Sequence, residues 1–169
     1  MPSAEQIINR WNSLKGNRST LETHWQDCAD YALPRKAEVI TRRVEGQQVT
    51  LHIYDTTALE ALERLAAGLF AYLCPPTQQW FTLMPADLRQ RDNDELSSWF
   101  RRATEIMSDR ITNSNFHQQI HEHFLDLGCF GTGCLYCEAD PQQPGAVVFR
   151  NDHVSVYCAD TDYRGIVDT

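Results

Sequence analysis

Apolar residues recur three and four apart along most of the chain up to Gly128 and alternate with polar ones after Gly133, which predicts helices first and strands afterwards. Ser3 with Gln6 forms the signature of a capping box, and Ile7, Ile8, Trp11 and Leu14 follow at helical spacing. Gly16-Asn17 either breaks this helix or merely weakens it. Ser19 with Glu22 repeats the capping signature ahead of Leu21, Trp25, Cys28, Ala29 and Ala32, and Leu33-Pro34 ends the second helix because the residue before proline is pushed out of the helical region. Residues 38 to 53 alternate instead, with Val39, Thr41 and Val44 on one side of Gly46 and Val49, Leu51 and Ile53 on the other, which predicts a β-hairpin with Arg42-Arg43 near its tip, either a solvated end, the favoured reading, or a loop that reaches a partner.

Asp55 is an N-cap candidate for a helix reaching Cys74. Leu59, Leu62, Leu65, Ala66, Leu69, Phe70 and Leu73 make its apolar stripe so wide that burial around much of its circumference is expected. Pro75-Pro76 stops it, and "QWFTL" reads as a strand or extended segment whose aromatics cover the helix end. A helix from Asp92–Asp94 carries Leu96, Trp99, Phe100, Ala103, Ile106, Met107 and Ile111, with Arg101 and Arg102 on its polar side. After "TNSN", Asn115 is read as a cap with Gln118 three residues on, and Phe116, Ile120, Phe124 and Leu127 carry a shorter helix to Gly128. "CLYCEA", "AVVFR", "HVSVYCA" and "IVDT", separated by turns at "DPQQPG" and "DTDYRG", predict an antiparallel meander. The expected class is α+β, in a single domain over residues 1–169.

Composition narrows the role. The 42% apolar and 22% charged residues are those of a chain with a core, and a formal charge of −8 disfavours a protein that grips phosphates over a broad basic face. No run is long enough to span a membrane, and "MPSA" lacks the basic start of a secretory signal, so a soluble, intracellular protein is expected. Without such a signal, the six cysteines read as reduced thiols packed as small hydrophobes.

Candidate chemistry is sparse. His117 and His121 share a helix face, His123 lies close by, and Cys129, Cys134 and Cys137 follow within a few residues, a grouping that invites a structural zinc site at His117, His121, Cys129 and Cys134. Against it, Cys134 and Cys137 fall in a predicted strand, where an odd separation sends their side chains to opposite faces. "GCFGTG" resembles a phosphate-cradling loop but joins helix to strand, the reverse of the order that aims a helix N-terminus at an anion, so it reads as a glycine-rich turn. The acidic pairs Asp92/Asp94 and Asp160/Asp162 lie in capping or turn positions, and no Ser, Cys or Asp stands in a nucleophile motif. No catalytic residue, cofactor or enzyme activity is expected.

Taken in order, "RWNSLKGNRSTLETHWQDCADYALP", "IYDTTALEALERLAAGLFAYLCPPTQQWFTL", "SNFHQQIHEHFLDLGCFGTGCLYCE" and "FRNDHVSVYCADTDYRGIVD" resemble the N-terminal part of the head-to-tail connector, or portal, proteins of short-tailed bacteriophages. The resemblance implies a structural subunit of a ring, usually twelvefold, at one capsid vertex. Double-stranded DNA is driven through the ring by the terminase motor, and the tail attaches below. It implies that this chain is the outer α+β part, the wing, and that stem, clip and crown would lie after Thr169. Capsid, terminase and tail proteins are then the partners, with no membrane, and the location is the virion or the host bacterial cytoplasm. The acidic balance is compatible with a channel through which DNA slides. The alternative is a stand-alone intracellular binding module built on the zinc site.

Overall fold

Ser3 Oγ accepts from the Gln6 amide at 3.3 Å while Gln6 Oε1 accepts from the Ser3 amide at 2.8 Å, and this reciprocal box starts α1 (Ala4–Asn17). The computed structural model describes residues 3–42, 44, 46–48, 53–90, 93–161 and 163–168. One residue, Arg18, separates α1 from α2 (Ser19–Ala32). The second capping box is not formed: Arg18 takes the N-cap position without a side-chain cap, and Glu22 is committed to an ion pair with Arg18 Nε at 2.7 Å. Leu33 ends α2 as expected, and a single 3-10 turn, Pro34–Lys36, follows with Leu33 and Pro34 buried.

The predicted hairpin over 38–53 is corrected in part. Its turn is present, with Gly46 at φ 81° and the Gln47 amide donating to the Val44 carbonyl, but the described residues from Glu38 to Thr41 form no strand. The cause is Gln26 on α2. Its Oε1 takes the amides of Ile40 and Thr41 at 2.9 and 3.3 Å and its Nε2 donates to the Ala37 carbonyl at 2.8 Å, so one side chain occupies groups that a ladder would need. Residues 43, 45 and 49–52, and with them Arg43, Val49 and Leu51, lie outside the described residues.

The described chain divides into two compact units. The first takes Met1–Leu65, Leu125–Cys134 and Asp152–Thr169, the second Ala66–Phe124 and Leu135–Asn151. α3 (Thr57–Leu73) starts two residues later than its predicted cap, because Asp55 accepts from both the hydroxyl and the amide of Thr57. These two donors, the hydroxyl first, hold the Asp55 carboxyl below its usual range. The expectation that α3 is buried around much of its circumference is also corrected: Leu62 and Ala66 are buried, with Cys74 just beyond, whereas Leu65, Tyr72 and Leu73 are 50%, 89% and 53% exposed.

α5 (Phe116–Phe130), whose residues from Leu125 on belong to the first unit, runs past Gly128, which is not its end. A Cβ at Gly128 would lie 2.6 Å from Leu62 Cδ1 and 3.4 Å from Leu65 Cδ2, so the glycine is where α3 comes close. Gly131, at φ 72° with its amide donating to the Leu127 carbonyl, is the true terminator. The predicted strand over 153–159 is a turn instead. The Arg18 guanidinium takes the carbonyls of Val154 (3.0 Å), Ser155 (3.2 Å) and Tyr157, and a strand, whose carbonyls alternate in direction, cannot aim three of them at one cation.

In the second unit, Asn93 caps α4 (Asp94–Thr112) by accepting from the amides of Glu95 and Leu96. "QWFTL" is an extended segment without strand pairing. Trp80 stacks on Phe116 with rings 5.8 Å apart and 8° from parallel, and the Leu83 amide donates to the buried Thr104 hydroxyl at 3.0 Å. Strands β1 (Cys134–Ala139) and β2 (Val147–Asp152) form a hairpin that turns at Gly145, with the Asp140 amide on the Ala146 carbonyl. Asn115 stands directly before α5, its carbonyl accepting from the Gln119 amide at 3.1 Å. Its amide side chain brackets Phe149 of β2, donating to the carbonyl at 2.7 Å and accepting from the amide at 2.8 Å, while Gln119 Oε1 takes the Asn151 amide at 2.9 Å. Side-chain amides thus stand in for a third strand along β2. Asn115→Ala is expected to cost about 2–3 kcal/mol, two hydrogen bonds lost with two backbone groups left unmatched. A urea titration showing less than about 0.5 kcal/mol would contradict it.

Strands β3 (Asp160–Thr161) and β4 (Val167–Asp168) pair antiparallel in the first unit, Asp160 opposite Asp168 and Thr161 opposite Val167. The meander therefore resolves into two separate two-stranded hairpins, and the class remains α+β.

Candidate functional site

The polar residues of α5 define what the helix organises. Asn115, Gln119, His123 and Asp126 are spaced four, four and three apart, a stripe running beside the apolar one. In the second unit His123 adds a 3.2 Å contact to Asn151 Oδ1. In the first, Asp126, almost fully buried at 2% side-chain exposure, takes Lys36 Nζ at 2.7 Å. Sequence reading passed over this stripe because its period coincides with that of the apolar face; the available signal was Asp126 itself, an acid flanked by Phe124, Leu125 and Leu127.

Next to Lys36 lies a crevice of about 620 Å³ lined by Arg35, Lys36, Glu38, Arg42, His153 and Ser155. The Lys36 carbonyl can only accept, so His153 Nε2, 2.8 Å away, carries the proton, and Nδ1 accepts from the Ser155 hydroxyl and amide at 2.8 and 3.3 Å. These bonds fasten residues 153–155 to the 3-10 turn. Chemically the lining sets Arg35, Lys36 and Arg42 beside Glu38, His153 and Ser155, and the His153 bonds hold chain segments together.

The residues of the candidate zinc set fall in different units, His117 and His121 in the second, Cys129 and Cys134 in the first. His117 sets its ring against Phe70 and Phe116, with both ring nitrogens buried and without a hydrogen-bond partner, and His121 lies against Phe70 at 6.1 Å. Among the described residues no three His, Cys, Asp or Glu side chains are grouped to hold a metal ion.

None of the six cysteines is joined in a disulfide, but they are not uniformly packed away: Cys74 is buried and Cys137 is exposed. Burial pushes the Cys129 thiol up to about 12, with Cys28 adding to the rise, and burial also raises Cys74. The Cys129 thiol therefore stays protonated at pH 8 and is a poor nucleophile. Iodoacetamide should label Cys137 first and Cys129 and Cys74 last, as read by peptide mass spectrometry. Equal labelling of Cys129 and Cys137 in the folded chain would contradict this ordering.

The most extensive feature is exposed apolar surface at helical spacing. α1 buries none of its residues: Ile7 is 56% exposed, Ile8 57% and Trp11 39%. α4 buries Thr104 while leaving Trp99 62% and Ile106 50% exposed, and a hollow of about 430 Å³ beside Trp99 is lined by Glu95, Leu96 and Phe100. Apolar faces of this kind mark surfaces that other molecules cover. Among the described residues no helix is long and apolar enough to cross a membrane.

Residues 4–169 match the family of bacteriophage head to tail connecting proteins. The chain is 28% identical over 165 residues to a probable portal protein of Bordetella phage BPP-1, covering 96% of this chain and 29% of that protein. It is 26% identical over 166 residues to the portal protein of Salmonella phage epsilon15, covering 98% of this chain and 30% of that protein. It therefore spans about three tenths of the length of the relatives it matches.

Proposed function

Because the chain belongs to the bacteriophage head to tail connecting proteins, we propose that it forms the outer, wing-like region of a portal subunit and acts by assembling with further copies into a ring at one capsid vertex. The observation that carries this reading is the family match, which runs over essentially the whole chain. The unburied faces of α1 and α4 support it, since a ring subunit must keep apolar surface for its neighbours. On this reading the protein performs no chemistry. It is a structural element around double-stranded DNA that passes without sequence recognition, and terminase, capsid and tail proteins meet the same assembly. The formal charge of −8 is in keeping with passage without adhesion.

An antibody raised against the purified chain tests the reading on intact particles by immunogold electron microscopy. Gold at one vertex per particle, on the tail side, is the expected result. Label spread over the shell, or particles of confirmed genotype that bind none after mild opening, would overturn it.

A further inference from the structure

The two edges of the β1–β2 hairpin are treated differently. Along β2 the outward backbone groups of Phe149 and Asn151 are occupied by the side chains of Asn115 and Gln119. Along β1, among the described residues, β2 is the one strand paired with it, and Tyr136 through Ala139 are exposed, with the Arg150 guanidinium over the Tyr136 ring at 5.2 Å. β1 carries none of the usual protections of an edge. It has no proline and no lysine, and its single charge is Glu138.

The same chain holds a second hairpin that is equally incomplete. β3 and β4 share two residue pairs, and beside that short ladder Tyr163, Ile166 and Val167 are 87%, 60% and 64% exposed. A two-stranded ribbon is marginal in water, whereas a sheet of three or more strands with an apolar face is not.

We propose that the edge of β1 is an assembly edge, and that the β3–β4 hairpin of a second copy of this chain adds to it through β4, giving one four-stranded sheet shared by two chains. Run antiparallel to β1, the donor places Arg164 at the Glu138 end, pairing the lone acid of the edge with a cation. The contact joins two different surfaces, so it is heterologous and propagates head to tail, the geometry that closes into rings. The inference rests on the self-association proposed above and names the strands that would carry it.

Hydrogen exchange of the full chain at low and high protein concentration, alongside sedimentation, tests it. Where nine in ten chains are associated, amides of Leu135–Ala139 and of Gly165–Asp168 should exchange about tenfold more slowly, the inverse of the unbound fraction. Val167→Pro takes one ladder amide out of β4, leaves the buried core untouched because Val167 is 64% exposed, and should abolish the association. Glu138→Arg and Arg164→Glu should each weaken it and together restore it. Association that persists in Val167→Pro, or that protects neither segment, overturns the shared sheet and leaves the ring reading standing. Protection of β1 alone overturns β4 as the donor. A chain that stays monomeric at every concentration overturns the inference, while the fate of the portal reading is decided separately by the gold label.

Discussion

Replacing Arg18 by methionine is expected to destabilise the chain by about 3–5 kcal/mol, a large fraction of the stability of a domain this size. The methionine keeps an apolar stem of similar length but removes the cation on which the Val154, Ser155 and Tyr157 carbonyls converge and with which Glu22 pairs. Arg18 is only 9% exposed, so water does not readily replace it, and the three carbonyls lose their common donor. Arg18→Lys should recover little, because a single ammonium does not present the planar fork that reaches several acceptors at once. Urea titration followed by circular dichroism gives the number. A loss under about 1 kcal/mol would mean that residues 153–158 hold their turn without the arginine.

The second large effect concerns the Lys36–Asp126 pair. Lys36→Met should cost about 3–5 kcal/mol, because it removes a 2.7 Å partner from a carboxylate whose side chain is 2% exposed. The double substitution Lys36→Met with Asp126→Leu should regain most of that loss, since well-packed apolar residues commonly serve as well as a buried ion pair while half a pair does not. The thermodynamic cycle distinguishes this from simple packing. If the double variant is as unstable as the sum of the two single changes, the pair is not coupled and the carboxylate is held by other groups.

How much of the fold is legible in the sequence depends on whether an element is determined locally. The Ser3 box, the Leu33-Pro34 stop and the turn at Gly145 rest on neighbours within a few residues, and the sequence reading placed them where the structure has them. The failures occurred where a distant polar side chain overrides a local pattern. Residues 38–41 and 153–159 both alternate like strands, yet Gln26 claims the first and Arg18 the second from 14 or more positions away. Asn115 shows the same thing from the donor's side: its sequence context is that of a helix cap, and its partner is Phe149, 34 residues on. The overestimate of burial on α3 has another origin, since periodicity reports how wide an apolar stripe is, not whether this chain or another molecule covers it.

The same distinction bears on α1. Folding of this chain exerts little hold on Ile7, Ile8 and Trp11, because the helix they form closes on its own caps and buries none of its residues fully. Whatever restrains those three positions as the sequence drifts must come from a surface outside these residues. A deep mutational survey scored for folding alone would therefore find them tolerant, and one scored for particle assembly would find them exacting. The difference between the two maps, residue by residue, traces the outline of the partner.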